Sequence, residues 1–96
     1  MHAPARYRRS DQVLWRRTGD GALLANPSDD GFERLSPTGA AVWELLGDPT
    51  TVSRVVGELA EVFDAPRATI EGDVAEIIEQ LVGRGLVEVE AVEADV

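Results

Sequence analysis

The chain has 96 residues, 44% of them hydrophobic, and a formal net charge of −9 from 18 acidic and 9 basic residues. This length supports one domain with a single core, and the apolar share excludes a disordered chain. The absence of cysteine excludes a disulfide framework, a zinc knuckle and a thiol nucleophile, and the single histidine, His2, lies at the N terminus.

The sequence contains neither a long apolar run nor an apolar stretch that follows the N-terminal arginines. A membrane-spanning helix needs about 20 apolar residues, and a secretory signal needs an apolar stretch after its basic residues. We therefore expect no membrane partner and a cytoplasmic location.

The positive charge is concentrated near the N terminus. The first 17 positions hold five arginines: Arg6, Arg8, Arg9, Arg16 and Arg17. Binding to a nucleic-acid backbone requires a cluster of cations, which the acidic remainder of the chain does not supply. The sequence therefore predicts no nucleic-acid partner. The acidic surface is either a solvated face or a surface that attracts a basic peptide or protein.

Three short strands are predicted in the first third of the chain, at residues 12–17, 22–26 and 32–35. Two turn segments rich in glycine, asparagine and aspartate separate them. In the first strand, Val13 and Trp15 share one face. The two turns indicate an antiparallel meander. At least one edge of such a sheet must be covered or otherwise protected from pairing with another chain.

A sharp junction joins the third predicted strand to the first predicted helix. Ser36 is placed to cap a helix whose first residue is Pro37, where the missing N–H costs nothing and the ring favours the helical φ. Gly39, Ala40 and Ala41 then form a first turn of small residues, which allows another backbone to approach closely. The junction therefore anchors one end of the third strand.

Apolar spacings of three and four predict three helices after this junction. The first spans residues 37–46, the second is capped by Thr50 or Thr51, and the third runs from near Arg67 to residues 83–85. Residues 86–90 alternate with the period of a short strand or wing. Within a single domain spanning residues 1–96, we expect residues 1–10 to form a flexible arm and residues 91–96 a flexible tail.

The apolar arc of the third predicted helix is wider than one packing face requires. Its centre consists of Ile70, Val74, Ile77 and Leu81. Its flanks consist of Ile78 and Val82 on one side and of Asp73 and Gln80 on the other. Either the whole arc is core, or part of it lines a groove beside the third predicted strand.

The order of these segments resembles the PqqD-like family, which supplies the recognition element for ribosomally made and modified peptides. The resemblance extends over residues 12–90 and rests on the segments 37–41, 42–46 (VWELL), 51–52, 70–74 and 85–87, together with Leu81. It implies a small α+β domain of winged helix-turn-helix type, with a three-stranded antiparallel sheet followed by three helices. It also implies that the third strand and third helix form a cleft.

The resemblance further implies that a leader peptide adds to the third strand and reaches toward the third helix. The implied strand residues are Phe32, Glu33, Arg34 and Leu35. The implied helix residues are Asp73, Val74, Ile77, Gln80 and Leu81. Phe32 and Leu35 cannot share one side of a regular strand, so only one of them is expected to contact the pocket.

The function implied by this resemblance is non-catalytic delivery of a precursor peptide to processing enzymes, without a cofactor or metal. The implied partners are the leader peptidase and macrolactam-forming cyclase of a lasso peptide pathway, or a radical SAM enzyme. A winged-helix DNA-binding regulator is the alternative, although the third helix is rich in carboxylates. Catalysis is disfavoured because the sequence shows no nucleophile–base pair, phosphate-binding glycine loop or metal set.

Overall fold

Two antiparallel sheets and three helices form the part of the chain that this computed structural model describes, residues 4–27 and 31–90. The strands are β1 (Arg6–Arg9), β2 (Leu14–Thr18), β3 (Gly21–Ala25), β4 (Phe32–Leu35) and β5 (Val87–Glu90). The helices are α1 (Pro37–Leu45), α2 (Val52–Val62) and α3 (Arg67–Gly83). The predicted α+β fold, with a three-stranded sheet followed by three helices, is confirmed. No helix in the described ranges is long and apolar enough to cross a membrane.

The three-stranded sheet has β3 at its centre and β2 and β4 at its edges. Ala22 lies opposite both Arg17 and Leu35, and Leu24 lies opposite both Trp15 and Glu33. Because residues paired across strands point to the same face, these rows define an inner face. Ala22 and Leu24 are fully buried on that face, where α1 packs against β3.

Side chains and one glycine define the helix ends close to where the sequence predicts them. The Ser36 hydroxyl accepts a hydrogen bond from the Gly39 amide at 3.0 Å, and Pro37 is the first residue of α1. Thr51 caps α2 in the same way by accepting from the Arg54 amide at 3.2 Å. Gly85 follows α3 with φ +75°, a value that favours glycine.

The core lies where α1 meets the inner face of the sheet, α2 and α3. Its largest fully buried side chains are Trp43, Leu24, Leu46, Ile78, Leu86, Val42, Val55, Val56 and Val74. At the margin of this core, Trp15 packs edge-on against Trp43 with ring centroids 6.1 Å apart. The Arg9 guanidinium lies 5.1 Å and 5.6 Å from these two centroids, so a cation–π contact ties the N-terminal segment to the core.

For residues 4–10, the structure corrects the expectation that residues 1–10 form a flexible arm, whereas residues 1–3 lie outside the described residues. Arg6–Arg9 form β1, which pairs antiparallel with β5. Arg8 lies 2.9 Å from a carboxylate oxygen of Glu88 and 3.3 Å from one of Glu90, and Tyr7 exchanges two backbone hydrogen bonds with Thr50. The basic N terminus is therefore held by an acidic strand about 80 residues away, a pairing that local composition does not reveal. The predicted tail, 91–96, lies outside the described residues.

The centre of the buried face of α3 also differs from the predicted one. Ile70, Val74, Ile78 and Leu81 are at most 5% exposed, whereas Ile77 is only partly buried. The buried stripe is thus rotated toward Ile78, because α2 and α1 both pack against that side of α3. Ile77 is left facing away from the deepest part of the core.

Replacing Gly21 with alanine should lower the free energy of unfolding by about 3 kcal/mol, as measured by urea denaturation. Gly21 has φ +154°, and a Cβ at this position would overlap the Leu35 carbonyl oxygen and lie 2.8 Å from the Leu35 carbonyl carbon. Gly19→Ala in the same hairpin is the matched control, since nothing lies within 4 Å of its added Cβ. Equal unfolding free energies for the two variants would contradict this close approach of β3 to the end of β4.

Candidate functional site

A cleft lies between β4 and the C-terminal half of α3. Its volume is about 560 Å³. It is lined by Glu33, Arg34, Leu35, Ser36, Gly39, Ile77, Gln80, Leu81, Gly83 and Arg84. One wall is therefore a strand at the edge of a sheet, and the other is a helix face.

The strand wall has an unpaired edge. β4 pairs with β3 along one side, with Phe32 opposite Ala25 and Leu35 opposite Ala22, and no strand in the described residues pairs with its other side. Such an edge presents backbone N–H and C=O groups that an extended chain can pair with. The cap at Ser36 ends β4 abruptly, so the available edge is only four residues long.

Apolar side chains form the deep part of the cleft. Leu35 and Leu81 are 9% and 3% exposed, and Ile77 is partly buried beside them. Leu35 packs against the first turn of α1, where its Cβ lies 3.3 Å from the position that a Gly39 side chain would occupy. The small residue at position 39 therefore lets Leu35 sit between the cleft and the core.

An ion pair connects the two walls of the cleft. Arg84, just after α3, lies 2.8 Å from a carboxylate oxygen of Glu33 in β4. Both side chains are partly exposed, so this pair contributes little to the stability of the fold. Its main effect is to place one positive and one negative group beside the apolar part of the cleft.

Six of the nine predicted site residues line the cleft: Glu33, Arg34, Leu35, Ile77, Gln80 and Leu81. Asp73, Ile77 and Gln80 follow one another at spacings of four and three, so the exposed Asp73 extends the same helix face by one turn. Val74 is fully buried in the core, and Phe32 is 68% exposed on the opposite face of β4. Strand alternation therefore brings Leu35, and not Phe32, to the cleft.

Four lining residues are absent from the predicted set: Ser36, Gly39, Gly83 and Arg84. Ser36 and Gly39 were identified by sequence as a cap and a small-residue turn, but the cleft reaches them because α1 starts where β4 ends. Arg84 follows Gln80 by four residues, so helical spacing alone could have added it to the predicted face.

The cleft offers surfaces that suit the binding of an extended chain. No group of three or more histidine, cysteine, aspartate or glutamate side chains in the described residues could hold a metal ion. Of the ionised groups that line the cleft, Glu33 and Arg84 form an ion pair. What it presents is an unpaired strand edge, an apolar wall and one ion pair.

Solved structures share this fold over most of the chain. The structure of TbiB1 in complex with the TbiA(beta) leader peptide is 23% identical, with a TM-score of 0.76, and the match covers 92% of this chain and 99% of that one. A lasso peptide synthetase B1 complexed with its leader peptide is 21% identical, with a TM-score of 0.74 and coverage of 85% and 96%. These two likenesses show the fold.

A third match is the solution structure of the PqqD truncation of Methylobacterium extorquens PqqCD, described as a functional, stand-alone recognition element for ribosomally synthesized and modified peptides. It is 25% identical, with a TM-score of 0.71, and the match covers 86% of this chain and 88% of that one. No curated protein matches the chain.

The match to a protein family covers the central part of the sequence. The family described as coenzyme PQQ synthesis protein D (PqqD) matches residues 21–87. This range includes β3, β4, all three helices and both walls of the cleft. More than half of the sequence thus fits one family along a continuous stretch, and the chain belongs to the PqqD family.

Proposed function

We propose that this chain is a non-catalytic recognition protein that binds the leader segment of a ribosomally made precursor peptide. The observation that carries the proposal is the unpaired edge of β4 beside the apolar face of α3. Three proteins of the same fold support it, because two were solved with leader peptides and one is described as a recognition element.

The leader is proposed to add to the sheet as a strand next to β4. Backbone pairing with the β4 edge supplies affinity that depends little on sequence, and alternate side chains that enter the cleft supply specificity. Two or three apolar anchors contribute roughly 1.5 to 3 kcal/mol each, against an ordering cost of about 2 to 5 kcal/mol for a disordered leader. Apolar burial and strand pairing together therefore favour binding in the micromolar range or tighter.

The predicted site residues take different roles in this proposal. Leu35, Ile77 and Leu81 receive the apolar anchors, whereas Glu33, Arg34 and Gln80 offer polar contacts around them. Asp73 meets a peptide that continues along α3. The added strand directs every second side chain away from the cleft, and Phe32 lies beside these side chains. Val74 acts from the core by supporting the helix turn that carries Ile77.

The surface of α3 argues against DNA binding. The helix carries Glu71, Asp73, Glu76 and Glu79, all exposed. Its two nearby cations are already paired, since Arg67 lies 3.8 Å from Glu71 and Arg84 lies 2.8 Å from Glu33. Insertion of this helix into a major groove would bring carboxylates toward phosphates, which is repulsive.

The partners that follow from the proposal are the enzymes that process the captured peptide. A leader peptidase and a macrolactam-forming cyclase fit a lasso peptide pathway, and a radical SAM enzyme fits the related cofactor pathway. The chain itself supplies recognition only, and we place its function in the cytoplasm, where precursor peptides are made. Genes adjacent to the one for this chain identify which pathway supplies the leader.

Replacing Ile77 with glutamate should weaken leader binding at least about tenfold, because a charge would be buried where an apolar anchor docks. The measurement is calorimetric titration of the purified variant with the leader of the precursor peptide encoded beside it. Val62→Glu is the matched control, since Val62 is an exposed helical residue away from the cleft.

Thermal unfolding followed by circular dichroism must show that both glutamate variants remain folded. Equal affinities for the two would move the peptide site away from α3. Failure of the unmodified protein to bind any neighbouring leader in a saturable manner would overturn the proposed function itself.

Leader peptides methylated on backbone nitrogens should reveal the strand addition directly. Methylation removes the N–H donors, so methyl groups on the residues that pair with β4 should weaken calorimetric binding about tenfold each. Methylation of the intervening residues, whose N–H groups point away from β4, is the control. A series in which every position behaves alike would contradict pairing with the strand edge.

A further inference from the structure

The three-stranded sheet has a second face that carries a mixed apolar and basic surface. Leu14, Ala25 and Phe32 lie side by side across the strands, and Arg16, Leu23 and Arg34 form the next row. We call these six residues the outer sheet face. Leu14 and Phe32 are 70% and 68% exposed, which is unusual for large apolar side chains.

No described element packs on the outer sheet face. The helix that contacts β3 and β4, α1, lies against the buried Ala22 and Leu24 on the inner face. Leu14, Leu23 and Phe32 instead line a surface depression of about 250 Å³. Two large apolar side chains are therefore held in water on a rigid sheet, beside a recess with room for another side chain.

The charge of the outer sheet face is opposite to that of the whole chain. It contains two arginines and no carboxylate, whereas the chain has a formal net charge of −9. Four of the other seven arginines pair with a carboxylate, namely Arg8, Arg17, Arg67 and Arg84. Arg16 and Arg34 form no ion pair within residues 4–27 and 31–90. The basic charge here is thus available to an acidic partner.

We propose that the outer sheet face binds an acidic amphipathic helix of a second protein. Arg16 and Arg34 lie on either side of Leu23, two strand spacings or about 10 Å apart. Seven residues of an α-helix rise about 10.5 Å, so carboxylates seven positions apart on a helix that crosses the strands reach both arginines. The apolar stripe of that helix then covers the row of Leu14, Ala25 and Phe32.

The charge pattern favours this occupant over two others. A symmetric dimer through the outer sheet face would place four arginines and no carboxylate from these faces in one interface, which is repulsive. An anionic membrane would attract two arginines but would repel the strongly acidic remainder of the chain. An acidic helix matches the arginines, the apolar row and the length of the face together.

The test is titration of the full chain with a synthetic helical peptide that has a leucine stripe and two glutamates seven residues apart. We expect saturable binding in the micromolar range by calorimetry, with the largest amide NMR shifts at β2 and β3. A peptide with lysines in place of the two glutamates is the matched ligand control and should bind at least about tenfold more weakly.

Two variants locate the site on the protein. Arg16→Glu and Leu14→Ser should each weaken binding of the acidic peptide about tenfold, while Arg54→Glu, at another exposed arginine without an ion pair in the described residues, should not. Both test variants should retain leader binding, because β2 lies at the far edge of the sheet from the cleft. A variant that loses leader binding but keeps acidic-peptide binding would therefore challenge the proposed function and not this second site.

Several results would overturn the inference. These are equal affinity for the glutamate and lysine peptides, absence of saturable binding, or shifts confined to the cleft. If sedimentation experiments show a dimer and Leu14→Ser abolishes it, the outer sheet face is assigned to a second copy of the chain. If the chain binds phosphatidylglycerol vesicles and Arg16→Glu abolishes this binding, the outer sheet face is assigned to a membrane surface.

Discussion

The hydrogen bond from the Gly39 amide to the Ser36 hydroxyl fixes the point at which β4 ends and α1 begins. Gly21 reinforces this point from the neighbouring strand, because only a residue without a Cβ fits against the Leu35 carbonyl. The end of β4 is thus held by a helix cap and by close backbone packing. The position of the strand edge, the direction of α1 and the width of the cleft all depend on it.

A strand anchored in this way can present its two faces and its edge to different surroundings. Leu35 points inward and joins the cleft to the core, whereas Phe32 points outward to solvent. The free edge between them is available for backbone pairing. Peptide recognition at the edge and a protein contact on the outer sheet face therefore lie side by side, and Phe32 and Arg34 border both.

Arginine pairing organises much of the remaining structure. Arg8 holds β1 to β5 through Glu88 and Glu90, and Arg17 reaches Glu44 on α1. Arg84 connects α3 to β4 through Glu33. In a chain with twice as many acids as bases, three of the nine arginines thus form ion pairs between elements, whereas the two arginines of the outer sheet face form none in the described residues.

Residue type and short-range spacing are enough to predict the features that depend on neighbouring residues. Local residue types indicate the Ser36 cap, a threonine cap at position 50 or 51, an end of α3 within residues 83–85, and the alternation that separates Phe32 from Leu35. The structure places the second cap at Thr51 and the positive φ at Gly85. Six residues of the cleft could also be named, because the order of segments carries the family resemblance.

Features that join distant segments depend on long-range packing, which short-range patterns do not contain. Composition predicts an arm at the N terminus, yet Arg6–Arg9 form a strand because their backbone pairs with β5, which also brings the carboxylates of Glu88 and Glu90 to Arg8. The buried stripe of α3 centres on Ile78 because α1 and α2 pack on that side, which leaves Ile77 for the cleft. Periodicity defines the width of an apolar arc, but the elements that pack against it decide which part is buried.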